Sequence, residues 1–326
     1  MNVLSRERRV QILACLVEGN SVRSTERLTG THRETILNLL LQVGDGCAQL
    51  HDRMIRALNC GHIELDEIWT FVWKKQARLT ESDPAERGDA YTFVAEDAAT
   101  KLTICWRTDK RTAEAAVAFA ADLRARVLNR PQITSDGFSA YLDAVEQAFG
   151  CEVDYGQAIK VYNGANGEET DDHRYSQGRV RAVTKRSLLG NPDEAKMTTS
   201  HIERQNMSVR MGCRRFTRLT NAFSKSLRHL RAAVALHYVY GNLCRVHMSL
   251  RVTPAMQAGL TGHVWSLDEL LEAVLEDAKP RAGAGGDQRW AEMPPRQAAQ
   301  QRQATEAPPA RAPAELGERR YIRPDR

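Results

Sequence analysis

Three acidic residues stand in settings suited to phosphodiester chemistry. Asp66 lies within Ile63-Glu-Leu-Asp-Glu-Ile-Trp-Thr-Phe-Val-Trp73, Asp136 within Thr134-Ser-Asp-Gly137, and Glu203 within Ser200-His-Ile-Glu-Arg-Gln-Asn206. From residue 195 to 267 the chain holds eleven Lys or Arg, and Glu203 is the one carboxylate among them. Carboxylate oxygens are hard ligands suited to Mg2+ or Mn2+. Two such ions about 4 Å apart activate an oxygen nucleophile and stabilise a leaving oxygen. No Ser/His/Asp triad or phosphate-binding glycine loop competes for the chemistry. Each acid also has a plainer reading. Asp66, flanked by Glu64 and Glu67, reads equally as a strand-edge charge. Asp136, before Gly137, reads as a turn former. Glu203, three residues after Ser200, reads as the closing acid of a capping box.

The charge pattern points to a polyanion. The net charge is only +5, yet from Arg174 to Arg251 there are sixteen Lys or Arg against Asp193, Glu194 and Glu203. Such a cluster is the electrostatic footprint of a nucleic-acid surface. Arg204, Arg210, Arg214, Arg215 and Arg218, with Asn206 one turn beyond Glu203, are expected to line a groove for DNA phosphates. Contacts of that kind position a duplex without reading its sequence.

The elements that must hold these residues follow from periodicity. Residues 1–58 read as three helices, about Ser5–Glu18, Ser21–Leu28 and a third from Thr31, with Thr31 and Glu34 at capping-box spacing. A tight turn at Gly30 between the last two describes a helix-turn-helix module. On its second helix His32, Arg33, Thr35 and Asn38 face outward, and Arg33, Thr35 and Asn38 are the expected DNA contacts. A packing or dimerisation module with no DNA role fits the same pattern. Strands are expected over Ile63–Trp73, Tyr91–Glu96 and Leu102–Trp106, with a polar loop over 78–90. A helix Thr112–Leu128, a strand Pro131–Ser135, a helix Ser139–Phe149 and a strand Glu152–Gln157 follow. This order gives an α/β, ribonuclease-H-like mixed sheet flanked by helices, spanning residues 60–277. In such a sheet the middle of the first strand lies beside the end of the fourth, and a later helix offers a third acid. Residues 162–198 read as a long excursion, followed by helices Ser200–Leu219, Ala222–Val246 and Ser266–Glu276. Residues 278–326, rich in Pro, Ala and Arg, read as a disordered tail.

Seven scattered cysteines without a Cys-x-x-Cys pair suggest reduced thiols. No segment reaches membrane-spanning length, so a cytoplasmic, nucleoid-associated protein is expected. Cys47, His51, Cys60 and His62 lie close in sequence, but their spacing fits no standard zinc finger.

With these residues in view, the chain resembles DDE transposases of the bacterial insertion-element-one (IS-one-like) family. The matching stretches are Leu65-Asp-Glu-Ile-Trp69, Thr134-Ser-Asp-Gly137 with Tyr141, Gly190-Asn-Pro-Asp193, Ser200-His-Ile-Glu-Arg-Gln-Asn206, the run from Arg214 to Lys225, Asn242, His247-Met-Ser-Leu-Arg251 and Thr253-Pro-Ala255. The resemblance covers about residues 60 to 275. It implies a catalytic core in which Asp66, Asp136 and Glu203 bind Mg2+ or Mn2+, two ions in all, and N-terminal helices that bind element ends. It implies double-stranded DNA as partner, both terminal inverted repeats and target, and a homo-oligomer assembled on that DNA. Two departures stand out: the N-terminal Cys-rich finger is absent, and Ser226-Leu-Arg228 stands where relatives commonly carry an acid. A catalytically silent DNA-binding regulator derived from a transposase, and a junction or repair nuclease on the same fold, are the rival readings.

Overall fold

The computed structural model describes residues 4–162 and 180–277. The expected tail at 278–326 and residues 163–179 of the excursion lie outside the described residues. The described residues belong to one compact unit.

Six strands make one sheet: β1 (His62–Val72), β2 (Gly88–Asp97), β3 (Thr103–Asp109), β4 (Gln132–Ser135), β5 (Asp154–Tyr162) and β6 (Val180–Leu189), in the order β3-β2-β1-β4-β5-β6. Pairing is antiparallel across β3-β2-β1, parallel across β1-β4-β5, and antiparallel again at β5-β6. This is the mixed, ribonuclease-H-like sheet expected from the order of elements. Parallel neighbours require crossovers. Helix α4 (Ala113–Arg124) leads from β3 to β4, and α5 (Ala140–Phe149) from β4 to β5.

Alternation along β1 divides its side chains between two faces. Ile63 and Leu65 join Phe93, Phe119 and Tyr141 in one buried cluster, on the side of α4 and α5. Ile68 and Val72 join a second cluster with Ile202 and Val209 of α6 (Ser200–Gly212) and Leu230, Val234 and Tyr238 of α7 (Leu227–Leu243). The face carrying Glu64, Asp66 and Ile68 is therefore the one covered by α6.

The N-terminal helices are α1 (Arg6–Val17), α2 (Val22–Thr29) and α3 (Arg33–Met54). Ser5 and Ser21 cap the first two through their side chains, and Gly30 closes α2 in the left-handed conformation at φ 67°. The expected Thr31–Glu34 capping box does not form. His32 is the N-cap instead, its Nδ1 accepting from the Glu34 amide at 3.4 Å. Helix α3 packs on α7 and on α9 (Leu267–Asp277), with the short α8 (Pro254–Gln257) between those two in sequence. Two glycines permit this approach. A Cβ on Gly44 would stand 2.5 Å from Ala232 Cα, and one on Gly46 would stand 2.6 Å from Val274 O. Helices α1 and α3 thus share one hydrophobic cluster with the sheet, and Ile12 and Ile36 belong to the same core as Ile133 and Val274.

Three expectations are corrected. The stretch after 162 includes β6, which extends the sheet along β5. The helix from Ser200 stops at Gly212, followed by a single 3-10 turn at Arg214–Phe216. Helix α7 starts at Leu227 rather than at Ala222. There Ser224 runs parallel to the end of β1, its carbonyl accepting from the Trp73 amide at 2.8 Å. A sheet-type hydrogen bond holds that backbone extended.

Candidate metal centre

The acids at β1 and β4 converge because the strands are parallel neighbours. Leu65 is the Cα partner of Ser135, so Asp66 and Asp136 leave the paired segment side by side. Carboxylate oxygens of Asp66, Glu67 and Asp136 all lie within 4.8 Å of one another. Glu67 joins from the opposite face of β1, where Arg111 donates to its Oε2 at 3.0 Å. Its buried Oε1 faces the buried Tyr141 hydroxyl, whose hydrogen bonding lowers the Glu67 carboxyl.

Asp66 is half-buried and pushed up to about 7, first by burial and then by the charge of Asp136. The Glu67 and Asn206 hydrogen bonds oppose that rise: the Glu67 amide donates to Oδ1 and Asn206 Nδ2 to Oδ2, each at 2.8 Å. Glu67 is likewise raised by burial, with the Tyr141 hydroxyl and Arg111 opposing and Asp136 adding to it. Like charges gathered in a partly dry site favour a proton or a cation. The orphaned Asn206 Oδ1 adds to that demand, so this donor set fits a hard divalent ion. The turn-former reading of Asp136 also holds, since its Oδ1 accepts from the Phe138 amide at 3.0 Å. That bond uses one carboxylate oxygen and fixes the side chain toward Asp66.

Glu203 stands apart from that group. Lys160 of β5 donates to both of its carboxylate oxygens, and Thr199 Oγ1 donates to Oε1 at 2.8 Å. Its side chain is 42 % exposed. The helix that carries it is nonetheless docked at the centre, because Asn206, one turn on, is bonded to Asp66. The capping-box reading of Glu203 fails. Thr199 is the N-cap of α6, and the first-turn amides of His201 and Ile202 donate instead to Glu64 Oε2, both at 2.9 Å.

Glu64 is fully buried and also meets His201 Nδ1 at 2.6 Å. A carboxylate on the amides of a helix N-terminus satisfies donors that have no partner within the helix. This clamp locks α6 onto β1. Across the strand pair Glu64 faces Glu96, whose carboxyl is pushed up to about 8 by burial and by Glu64's charge. Period two put Glu64 on the face of Asp66; its role as the cap of a distant helix had no local signal.

The expected DNA contacts divide. Arg33, Thr35 and Asn38 are exposed on α3, beside the exposed His32. Arg204 and Arg218 are exposed, and Arg214 is partly so. Arg210 is half-buried, its guanidinium lowered by burial and by Arg218. Arg215 turns inward, donating to Ser224 Oγ at 3.3 Å, and Asn206 belongs to the acid centre. Arg228 pairs with Asp45 of α3 at 3.6 Å, so the residue standing in place of an acid ties α7 to α3. Cys47, His51, Cys60 and His62 form no metal-ligand group among the described residues. His51 Nε2 faces Thr103 O at 3.2 Å, and His62 Nε2 faces Thr134 Oγ1 at 3.0 Å.

No helix among the described residues is long and apolar enough to cross a membrane. No protein-family model matches the sequence, and no curated protein matches it. Among solved structures the chain is similar to a piggyBac transposase synaptic complex with hairpin DNA, at 11 % identity and a TM-score of 0.42, over 85 % of this chain and 72 % of that one. It is similar to the Mos1 strand transfer complex at 12 % identity and a TM-score of 0.28, over 86 % of this chain and 81 % of that one. A Mos1 paired-end complex with Mn aligns over 45 % of this chain and 58 % of that one, at 14 % identity and a TM-score of 0.17.

Proposed function

We propose that this protein is a DDE transposase of the insertion-sequence kind, cleaving the ends of a mobile element and joining them to target DNA. The observation that carries the reading is the convergence of Asp66, Glu67 and Asp136, with oxygens within 4.8 Å, where the parallel pairing of β1 with β4 ends. Asp66 and Asp136, completed by Glu203, would hold Mg2+ or Mn2+, two ions in all. The ions' chemistry there is Lewis-acid activation of an oxygen nucleophile and stabilisation of the leaving oxygen.

The chain's own residues supply the rest. Asn206 fixes the orientation of Asp66 through its amide. Glu64 clamps the first turn of α6, so Glu203 and Asn206 keep their distance from β1. Exposed Arg204 and Arg218, with Arg214 beside them, offer guanidinium groups to the phosphates of double-stranded DNA. Residues 1–58 act as the helix-turn-helix module, with Arg33, Thr35 and Asn38 turned to the major groove of the terminal inverted repeats. Two ends require two catalytic units, so a homo-oligomer on DNA follows. Residues 60–277 form the catalytic part.

One observation favours the silent-regulator reading: Lys160 neutralises Glu203. Incubating supercoiled plasmid carrying the element ends with Mn2+ separates the two. The transposase reading expects nicking and joining by the natural chain, and loss of both in Asp66→Asn with DNA binding retained. Cleavage that persists in Asp66→Asn would remove Asp66 from the chemistry. A regulator would bind the ends and leave the plasmid intact.

A further inference from the structure

We infer that Lys160 is a positioning residue that holds Glu203 off the acid centre in the DNA-free protein and releases it by transferring its bond to a DNA phosphate. The inference rests on the reading of the site given above. Lys160 Nζ bonds both oxygens of Glu203, and Thr199 fixes one of them. The same helix has already reached its place, because Asn206 is bonded to Asp66 and Glu64 caps the first turn. Glu203 and Asn206 are three apart and so share one side of α6. Turning Glu203 toward Asp66 therefore calls for a side-chain rotation and the loss of its Lys160 and Thr199 bonds, with α6 left in place.

The surroundings of Lys160 match a phosphate backbone. It lies on the two-stranded ribbon of β5 and β6, opposite Val183. Strand β6 is exposed from Val180 through Ser187. Counting by twos from Val183, Lys185 shares the ribbon face that carries Lys160 and donates to the Glu194 carbonyl, while Arg181 falls at a register shift in the pairing. Two cations on one ribbon face, beside a helix with exposed Arg204, offer contacts to a polyanion. Carboxylate and phosphate oxygens accept the same lysine hydrogen bond, so the exchange leaves Lys160 paired in both states. An ion pair this open to water is weakly held, and a backbone with many phosphates displaces it by mass action.

The test measures Mn2+ binding by electron paramagnetic resonance on the full chain, alone and with a blunt duplex of arbitrary sequence, after subtracting the duplex's own binding. The natural chain is expected to bind Mn2+ about tenfold more tightly with duplex than without. Lys160→Met is expected to bind in the DNA-free state at that higher affinity. In a Glu203→Gln background the same change is expected to have no effect, which a purely structural lysine would not produce. Duplex affinity of Lys160→Met is expected to lose about one unit of salt dependence. Lys160→Gln serves as the second variant, and melting curves confirm that both are folded. Unchanged DNA-free Mn2+ affinity in both Lys160 variants, with Asp66→Asn still losing Mn2+, would overturn the latch alone. No Mn2+ binding by the natural chain in either state would overturn the functional reading and the latch with it.

Discussion

Around Arg126 and around Asp66 the protein treats interior charge in opposite ways. The Arg126 side chain is 6 % exposed, and its guanidinium meets Asp52 and Asp122 at 2.9 Å each and the Ile55 carbonyl at 3.1 Å. Every partner there is of opposite sign or an acceptor, and the cluster joins the end of α3 to the end of α4. Around Asp66 three acids gather. Arg111 answers Glu67, while Asp66 carries hydrogen bonds only from neutral groups, Asn206 and the Glu67 amide. A balanced cluster serves stability. A cluster of three acids with one bonded arginine costs stability until further positive charge arrives, which is the ordinary trade at a functional site.

The contrast can be broken from either side. Arg126→Met removes a buried guanidinium and leaves the Ile55 carbonyl without its donor, while Asp52 keeps Arg56, and is expected to cost about 1–3 kcal/mol in urea unfolding. Asp66→Asn removes one of the crowded charges and is expected to leave the metal-free protein as stable or slightly more so, while abolishing cleavage. A loss as large as that of Arg126→Met would place Asp66 among the structural residues.

Acidity sharpens the comparison next. Asp66, pushed up from 3.8 to about 7, and Glu96, pushed up from 4.5 to about 8, bind protons more tightly folded than unfolded. Their contribution is fully present below about pH 4 and is lost as pH rises through about 7 and about 8, by at most ~1.4 kcal/mol per pH unit for each group. Metal-free melting temperatures are expected to fall across that window, and less so in Glu96→Gln. A flat profile in the natural chain would contradict the crowding of these acids. The smallest effect is expected at Arg228. Its pair with Asp45 is exposed, so Arg228→Ala should change urea stability by less than about 1 kcal/mol and leave cleavage intact.

Most of the fold was legible because it is written in local periodicity. Strands β1 to β5 and helices α1 to α5 carry their signals in apolar alternation, caps and turn residues. Asp66 and Asp136 were legible because strand order alone places them side by side. Strand β6 left no such signal, since it is exposed along most of its length and owes its form to pairing with β5. The start of α7 was misplaced because Ser224 answers to Trp73, about 150 residues away. Glu67 read as a flank of Asp66, although the end of β4 draws both toward Asp136. Glu64 as the cap of α6 and Lys160 as the partner of Glu203 are likewise contacts between distant parts of the chain. Their residue types were visible, but only the sheet order and the docking of α6 bring them together.

The acids of the middle of β1 and the end of β4 are proposed to await a divalent cation. Melting the full chain at pH 8 with and without Mn2+, beside Asp66→Asn, tests that proposal most directly. The account expects Mn2+ at a hundredfold excess over its Kd to add about 2.7 kcal/mol of stability to the natural chain and little to Asp66→Asn. Equal responses in the two proteins, or no response in either, would contradict it.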